Sequence, residues 1–167
     1  MRASFSDIIS YFKKLATEHI QIGHTDDEKH FYRFEIEEVL SGLKNVNYPA
    51  LVLEGYSYSL RDNRSDNTIK EREGAFMLLE HMSDPDDIDK MHEIWDRQEG
   101  ICDDIIARIK ADKRKPNCLA VRDFDLNSVK VLLIANKFDN TYGIRCHYTI
   151  SSPLPMDFDP DKWNIEE

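Results

Sequence analysis

The sequence predicts an α+β domain in which helices pack on one face of an antiparallel sheet, in the order α-α-β-β-α-β-β. Three observations carry this fold class. Residues 86–113 repeat apolar side chains at steps of three and four, the spacing of a helix. Residues 143–151 alternate apolar and polar side chains, the spacing of a half-buried antiparallel strand. No repeat and no Gly-, Pro- or Ser-rich linker divides the 167 residues, a length that suits one sizeable core rather than two. Residues 1–152 therefore read as a single α+β domain and 153–167 as an extended C-terminal tail.

The first helix is expected to start near Ser4 or Ser6, and Ser4 with Asp7 has the S-x-x-D spacing of a capping signal. Ile8, Phe12 and Leu15 then form one apolar stripe, and the helix is expected to end between His19 and Gly23. Residues 24–29 read as a solvated acidic loop. Phe31, Tyr32 and Phe34 suit a short strand, in a run too brief to decide. Ile36, Val39, Leu40 and Leu43, with glutamates on the opposite side, predict a second helix over 35–44.

Residues 49–60 are the clearest strand, with Val52, Tyr56 and Tyr58 alternating against small or apolar neighbours. Residues 61–74 carry Arg61, Arg64, Lys70 and Arg72 beside Asp62, Asp66, Glu71 and Glu73, and read as a long exposed loop. Loops beyond about 12–15 residues are uncommon unless they serve a function, which makes this one informative. Residues 75–82 form the next strand. Pro85 and the aspartates at 84, 86, 87 and 89 favour a helix start at 86, because the helix dipole stabilises anions there. That helix should run about 42 Å to Lys113, with Gly100 a possible bend, Pro116 closing it, and Ile94, Trp95, Ile101, Ile105 and Ile109 buried. Residues 128–137 and 143–151 should be strands joined through Asp139-Asn140, with Ile144, Cys146, Tyr148 and Ile150 on one face.

Composition narrows the function classes. Asp and Glu outnumber Lys and Arg by 32 to 22, a net charge of −10. A chain that grips nucleic acid by neutralising phosphates needs the opposite balance. No apolar run reaches the roughly 20 residues of a membrane span, and the first residues lack the pattern of a secretory signal. We therefore expect a soluble, unexported chain without a membrane partner. Cys102, Cys118 and Cys146 form no CxxC pair and are expected to be reduced thiols.

The residues supply no evident reaction. His24 and His30 stand six apart beside Asp26, Asp27 and Glu28, a spacing that fits neither a zinc helix nor a calcium loop, so no metal is expected. Cys102 and Cys146 lie on apolar faces, where a thiol behaves as a small hydrophobe. Cys118 follows a basic run that would lower its pKa, without any accompanying motif. Capping and dipole compensation account for the aspartates at 84–89. Phosphate-binding, dinucleotide, zincin and nucleophile-elbow motifs do not occur. We expect no catalytic residue, no metal and no cofactor.

Two features call for a partner. The mixed-charge segment 61–74 is long, and the tail holds Leu154, Met156, Phe158 and Trp163 close together on a Pro-stiffened backbone. The candidate subunit-interface residues are Arg61, Arg64, Asp66 and Arg72 in the first, and Phe158 and Trp163 in the second.

The order of elements resembles the tail-completion, or tail-terminator, proteins of bacteriophages and related contractile injection systems. Residues 5–18, 49–60, 75–82, 86–113 and 129–151 carry that resemblance; the helix over 35–44 and the Trp163 tail are additions to the pattern. It implies a structural virion protein forming a homo-oligomeric ring, typically a hexamer, that caps the tail tube and joins it to neck proteins as a connector. DNA would pass through the lumen without being specifically bound. Its place would be the virion tail or neck, after assembly in the bacterial cytoplasm. The residues alone also suit an alternative: a small intracellular α+β ligand-binding or adaptor domain without catalysis.

Overall fold

Ser4 opens helix α1 (Phe5–Glu18) with the expected capping box: its Oγ accepts the Asp7 N–H at 3.1 Å, and the Asp7 carboxylate accepts the Ser4 N–H at 2.8 Å. The computed structural model describes residues 3–34, 46–62, 67–135 and 140–164. Strands β1 (Phe31–Phe34), β2 (Ala50–Glu54), β3 (Ser57–Arg61) and β4 (Ile69–His81) follow α1. Helix α2 (Ile88–Asp112) then leads into β5 (Phe124–Ile134) and β6 (Thr141–Pro153). The expected helix over 35–44 lies outside the described residues, as do Asp139 of the reversing loop and residues 63–66.

The chain is an α+β protein built on one six-stranded sheet in the order β1-β2-β4-β6-β5, with β3 also paired to β4. All pairings are antiparallel except β1 with β2, which run parallel. The sheet is thus mixed where the sequence suggested a purely antiparallel one. Its spine is the pairing of β4 with β6 along their full lengths, from Ile69↔Pro153 to His81↔Thr141. Asn140, at φ 58°, helps turn the chain into β6, a backbone state that asparagine tolerates better than most residues.

Both helices cover the same face. Ile8, Phe12 and Leu15 of α1 and Ile101, Cys102, Ile105 and Ile109 of α2 pack with Phe76, Leu78, Ile144, Cys146, Tyr148 and Ile150 in one core. Phe12 sits at its centre, fully buried, with ring centroids 5.5 Å from Phe76 and 5.4 Å from Tyr148. On the opposite face Ala50, Val52, Met77, Leu79 and Ile134 form a second buried cluster. Two backbone positions have no room for a side chain. A Cβ at Gly74 would fall 2.8 Å from the Tyr148 hydroxyl, and one at Gly143 (φ 156°) only 1.9 Å from the Leu78 carbonyl oxygen.

Polar ties fix α2 to the sheet near its middle and to α1 at its end. Arg97 makes a bidentate pair with Glu80 of β4 (2.7 and 2.6 Å), and the buried Gln98 amide donates to the same carboxylate. At its end the buried Asp112 accepts from Tyr11 of α1 (3.1 Å), Arg108 (2.8 Å) and Lys115 (2.6 Å). Asp87 rather than Asp84 or Asp86 is the N-cap, accepting the Lys90 N–H at 2.9 Å, so the helix starts two residues later than the acidic run suggested. Trp95 is half-buried rather than part of the core, because it lies where its indole N–H reaches the Ile134 carbonyl at 3.0 Å.

Segment 61–74 is the main correction. The expected 49–60 strand is two strands, β2 and β3, and the chain re-enters the sheet at Ile69, so the second part of the expected 61–74 loop is the first half of β4, paired with β3. This half of the sheet is held by backbone pairing to β3 and β6 on either side of β4, and β3 is exposed throughout. Apolar patterning, which reports burial, carries no signal for such strands.

Candidate functional site

The sheet extends past its helices at one end, and there it gathers the two segments that the sequence singled out. Ile69 pairs with Pro153, and the Leu154 N–H donates to the Thr68 carbonyl at 2.8 Å, so the tail leaves the domain beside the loop end of the β3–β4 hairpin. Tyr58 and Leu60 of β3 are exposed there, as are Met156, Phe158 and Trp163 of the tail. Phe158 and Trp163 pack on each other, with ring centroids 6.2 Å apart, across a 3₁₀ turn at Pro160–Lys162. Their burial against the domain is slight: each keeps 65 % of its surface exposed.

The six candidate interface residues divide. Phe158 and Trp163 are presented to solvent. Arg61 is exposed but pairs with Glu71 across the hairpin at 2.9 Å, an exposed contact of the kind worth at most about 1 kcal/mol. Arg64 and Asp66 lie outside the described residues. Arg72 contradicts the expectation. It is buried and points to the helical side of the sheet, where Nη1 donates to Ser152 Oγ (3.0 Å) and Nη2 to the Ala3 carbonyl (3.2 Å). Its guanidinium also lies 5.7 Å from the Tyr56 ring centroid. Alternation along β4 turns Arg72 inward while its neighbours Glu71 and Glu73 turn outward, and that parity was invisible while the segment read as a loop.

A polar cleft of about 400 Å³ lies between two irregularities of the sheet. Leu53 pairs with Phe76 and Ser57 with Glu73, so Glu54, Gly55 and Tyr56 stand opposite only Gly74 and Ala75. On the far side, Asp125 pairs with Thr149 and Lys130 with His147, which leaves residues 126–129 opposite Tyr148 alone. Bulges of this kind re-aim side chains and recur beside functional sites. Here they frame Arg145, which binds Glu54 through Nε (2.5 Å) and Nη2 (2.6 Å) and touches the His147 ring through Nη1. Burial, and then the Arg145 charge, hold the His147 pKa below its usual value, so the ring is neutral at pH 7. Ser128 Oγ donates to the Asp125 carbonyl (2.7 Å) and accepts the Thr149 N–H (2.8 Å). The cleft therefore offers a polar, hydrogen-bonding lining whose strongest charges are already paired. Pattern reasoning missed it because the residues come from five strands and meet only through the bulges.

The remaining candidates fall as follows. His24 and His30 are buried, not solvated: His24 Nδ1 accepts the His30 N–H at 3.1 Å, and His30 Nδ1 lies 2.8 Å from the Pro49 carbonyl. The Asp26, Asp27 and Glu28 side chains point to solvent instead. Cys102 and Cys146 are buried and their thiols meet between α2 and β6; that hydrogen bond, then burial, pushes the Cys102 pKa up. Cys118 is half-buried, and burial followed by the nearby Asp112 carboxylate raises its pKa, opposite to the effect expected from the basic run before it. Among the described residues, no group of three or more His, Cys, Asp and Glu side chains is placed to hold a metal ion. No described helix is long and apolar enough to cross a membrane. No protein-family model, no curated protein and no solved structure matches the chain.

Proposed function

We propose that this chain is a structural assembly subunit that forms a homo-oligomeric ring of the tail-terminator kind, capping a tail tube and joining it to a neck. The observation that carries this reading is the projecting end of the sheet, where Tyr58, Leu60, Met156, Phe158 and Trp163 stand exposed. Large aromatic and apolar side chains left in water on a folded domain are the usual material of a protein interface. A closed ring also needs a second, different surface on each subunit. Strand β5 supplies one: it is the terminal strand of the sheet order, and Val131, Leu132 and Leu133 are exposed along it. An apolar edge strand of this kind is a ready template for another chain. The ring is six-fold by the resemblance in element order, and the acidic balance suits a lumen through which DNA slides without being held.

The test is the particle itself. Negative-stain images and native mass of the purified chain, alone and with tube subunits, should show rings of about six copies. A chain that stays monomeric under every condition, tube subunits included, refutes the reading.

The polar cleft around Glu54, Arg145 and His147 favours a second reading, a small α+β ligand-binding or adaptor domain without catalysis. A monomer that saturates with one small polar ligand, and loses it on Arg145→Met substitution, would support that reading over the ring.

A further inference from the structure

An acidic molecule carries a basic pole where the end of α2 runs into the turn before β5. Residues 108–122 hold six Lys and Arg side chains against one carboxylate, Asp112, in a chain of net charge −10. Asp112 is buried, and Arg108 and Lys115 already pair with it. Lys110 and Arg114 are exposed and make no ion pair within the described residues. The same segment and α1 line a cavity of about 440 Å³, whose wall combines Tyr11, Cys118, Leu119 and Ala120 with Lys14 and Lys115. A largely apolar wall beside cations suits a group that is aromatic and carries negative charge next to it.

The tail has the complementary composition. Residues 157–167 carry five carboxylates and one lysine around Phe158 and Trp163. That lysine, Lys162, pairs with Asp159 at 2.9 Å, which leaves Asp157 and Asp161 without a cation among the described residues. Phe158 and Trp163 pack on each other and keep 65 % of their surface exposed, so their own domain covers little of either. Reach is sufficient as well. Residues 154–163 span up to about 33 Å when extended, well beyond the roughly 10–12 Å diameter of a helix. Lys113 Nζ donates to the Phe124 carbonyl at 2.6 Å, so the pole stands at the head of β5, the strand proposed above as the second surface of the ring. Tail and pole are thus two different surfaces of one subunit, which a head-to-tail contact requires.

Resting on the ring reading, we propose that the tail of one subunit docks on the basic pole of the next, with the Phe158–Trp163 pair against the cavity wall at Tyr11 and Leu119, and Asp157 and Asp161 facing Lys110 and Arg114. The occupant is a second copy of this chain, because the acceptor and its complement in charge are both parts of one sequence. Aromatic burial supplies the affinity, and the charges fix register and orientation.

Charge reversal in the full chain tests the contact. Sedimentation velocity compares the parent with a pole variant (Lys110→Glu, Arg114→Glu), a tail variant (Asp157→Lys, Asp161→Lys) and a chain carrying all four changes. All four positions are exposed, so each variant should keep the parent's circular dichroism. Each separate reversal should weaken association by about tenfold or more, and the combined chain should recover it, because like charges then face opposite ones again. A cross-link identifies the occupant. In an Asn164→Cys variant, a short bismaleimide should join position 164 to Cys118 on the cavity wall, since Cys102 and Cys146 are buried. Denaturing electrophoresis should show a ladder of covalent multimers that disappears when Cys118→Ser is added. If the parent assembles and the separate reversals assemble equally well, or the combined chain does not recover, the docking is overturned while the ring stands. A cross-link closed within one chain, or none to Cys118, also overturns it. A parent that stays monomeric under every condition removes the docking and the ring together.

Discussion

Replacing Arg72 separates an internal clamp from an interface residue. Arg72→Ala removes two buried stem methylenes, at about 0.8 kcal/mol each, and the hydrogen bond to buried Ser152 at 3.0 Å, worth about 1.5 kcal/mol from a charged donor. The bond to the Ala3 carbonyl adds less, since it is longer, at 3.2 Å, and only part-buried. Against these stands relief of a desolvated guanidinium whose Nε has no partner among the described residues. The balance is a loss of about 2–3 kcal/mol for Arg72→Ala, and about 1 kcal/mol for Arg72→Met, which keeps the stem. Urea unfolding measures it: the midpoint should fall in that order while the m-value stays constant. If Arg72→Ala leaves the midpoint within about 0.5 kcal/mol of the parent yet abolishes assembly, Arg72 belongs to a subunit contact and the clamp is refuted.

Other substitutions test the frame more broadly. Gly143→Ala should cost at least about 3 kcal/mol in the same unfolding assay, because its Cβ would overlap the Leu78 carbonyl oxygen and push β4 from β6. Gly100→Ala, by contrast, meets nothing within 4 Å on α2 and should stabilise by roughly 0.5–1 kcal/mol through helix propensity alone. Asp112 gives a pH dependence of known sign. Burial pushes its pKa up, but hydrogen bonds from Lys115, Arg108 and Tyr11 outweigh that and hold it below the ordinary 3.8. A carboxyl depressed in the folded state contributes stability that is full above the unfolded pKa and is lost as pH falls through the folded value. The parent should therefore lose stability below about pH 4 more steeply than Asp112→Asn, measured by unfolding midpoints from pH 6 to pH 2. Parallel curves would remove Asp112 from the account.

Much of the frame was legible because burial writes itself into spacing. The α1 stripe, the α2 isoleucines and the alternation of Ile144, Cys146, Tyr148 and Ile150 each follow from one face meeting one core. The capping box at Ser4 was readable because it is local chemistry between two residues three apart. What stayed hidden depends on pairing between distant segments. Arg72 looked like a loop charge because β3 and the first half of β4 are held by backbone hydrogen bonds rather than by apolar burial. The cleft at Arg145 and Glu54 exists only because two strands slip register against β4 and β6, and no local pattern records a slip. Cys102 and Cys146 were each placed on the right face, but their meeting depends on how α2 sits over β6. The tail aromatics stood out because clustered apolar side chains in an acidic segment are visible in sequence whether or not the domain covers them, and in the structure they are exposed.

The central claim, that the projecting end of the sheet is an assembly surface, is tested most directly by sedimentation velocity on the full chain, on a chain ending at Pro153, and on the Phe158→Ala, Trp163→Ala variant. Within one chain the tail beyond Pro153 is tied by the Leu154–Thr68 bond, and Met156, Phe158 and Trp163 are exposed, so its loss should change monomer stability by less than about 1 kcal/mol. The account predicts a ring-sized species for the full chain, and monomers with an unchanged melting temperature for both altered chains. Equal assembly of all three, or a monomeric full chain that melts several degrees lower once truncated, would show that the tail is internal packing and contradict the account.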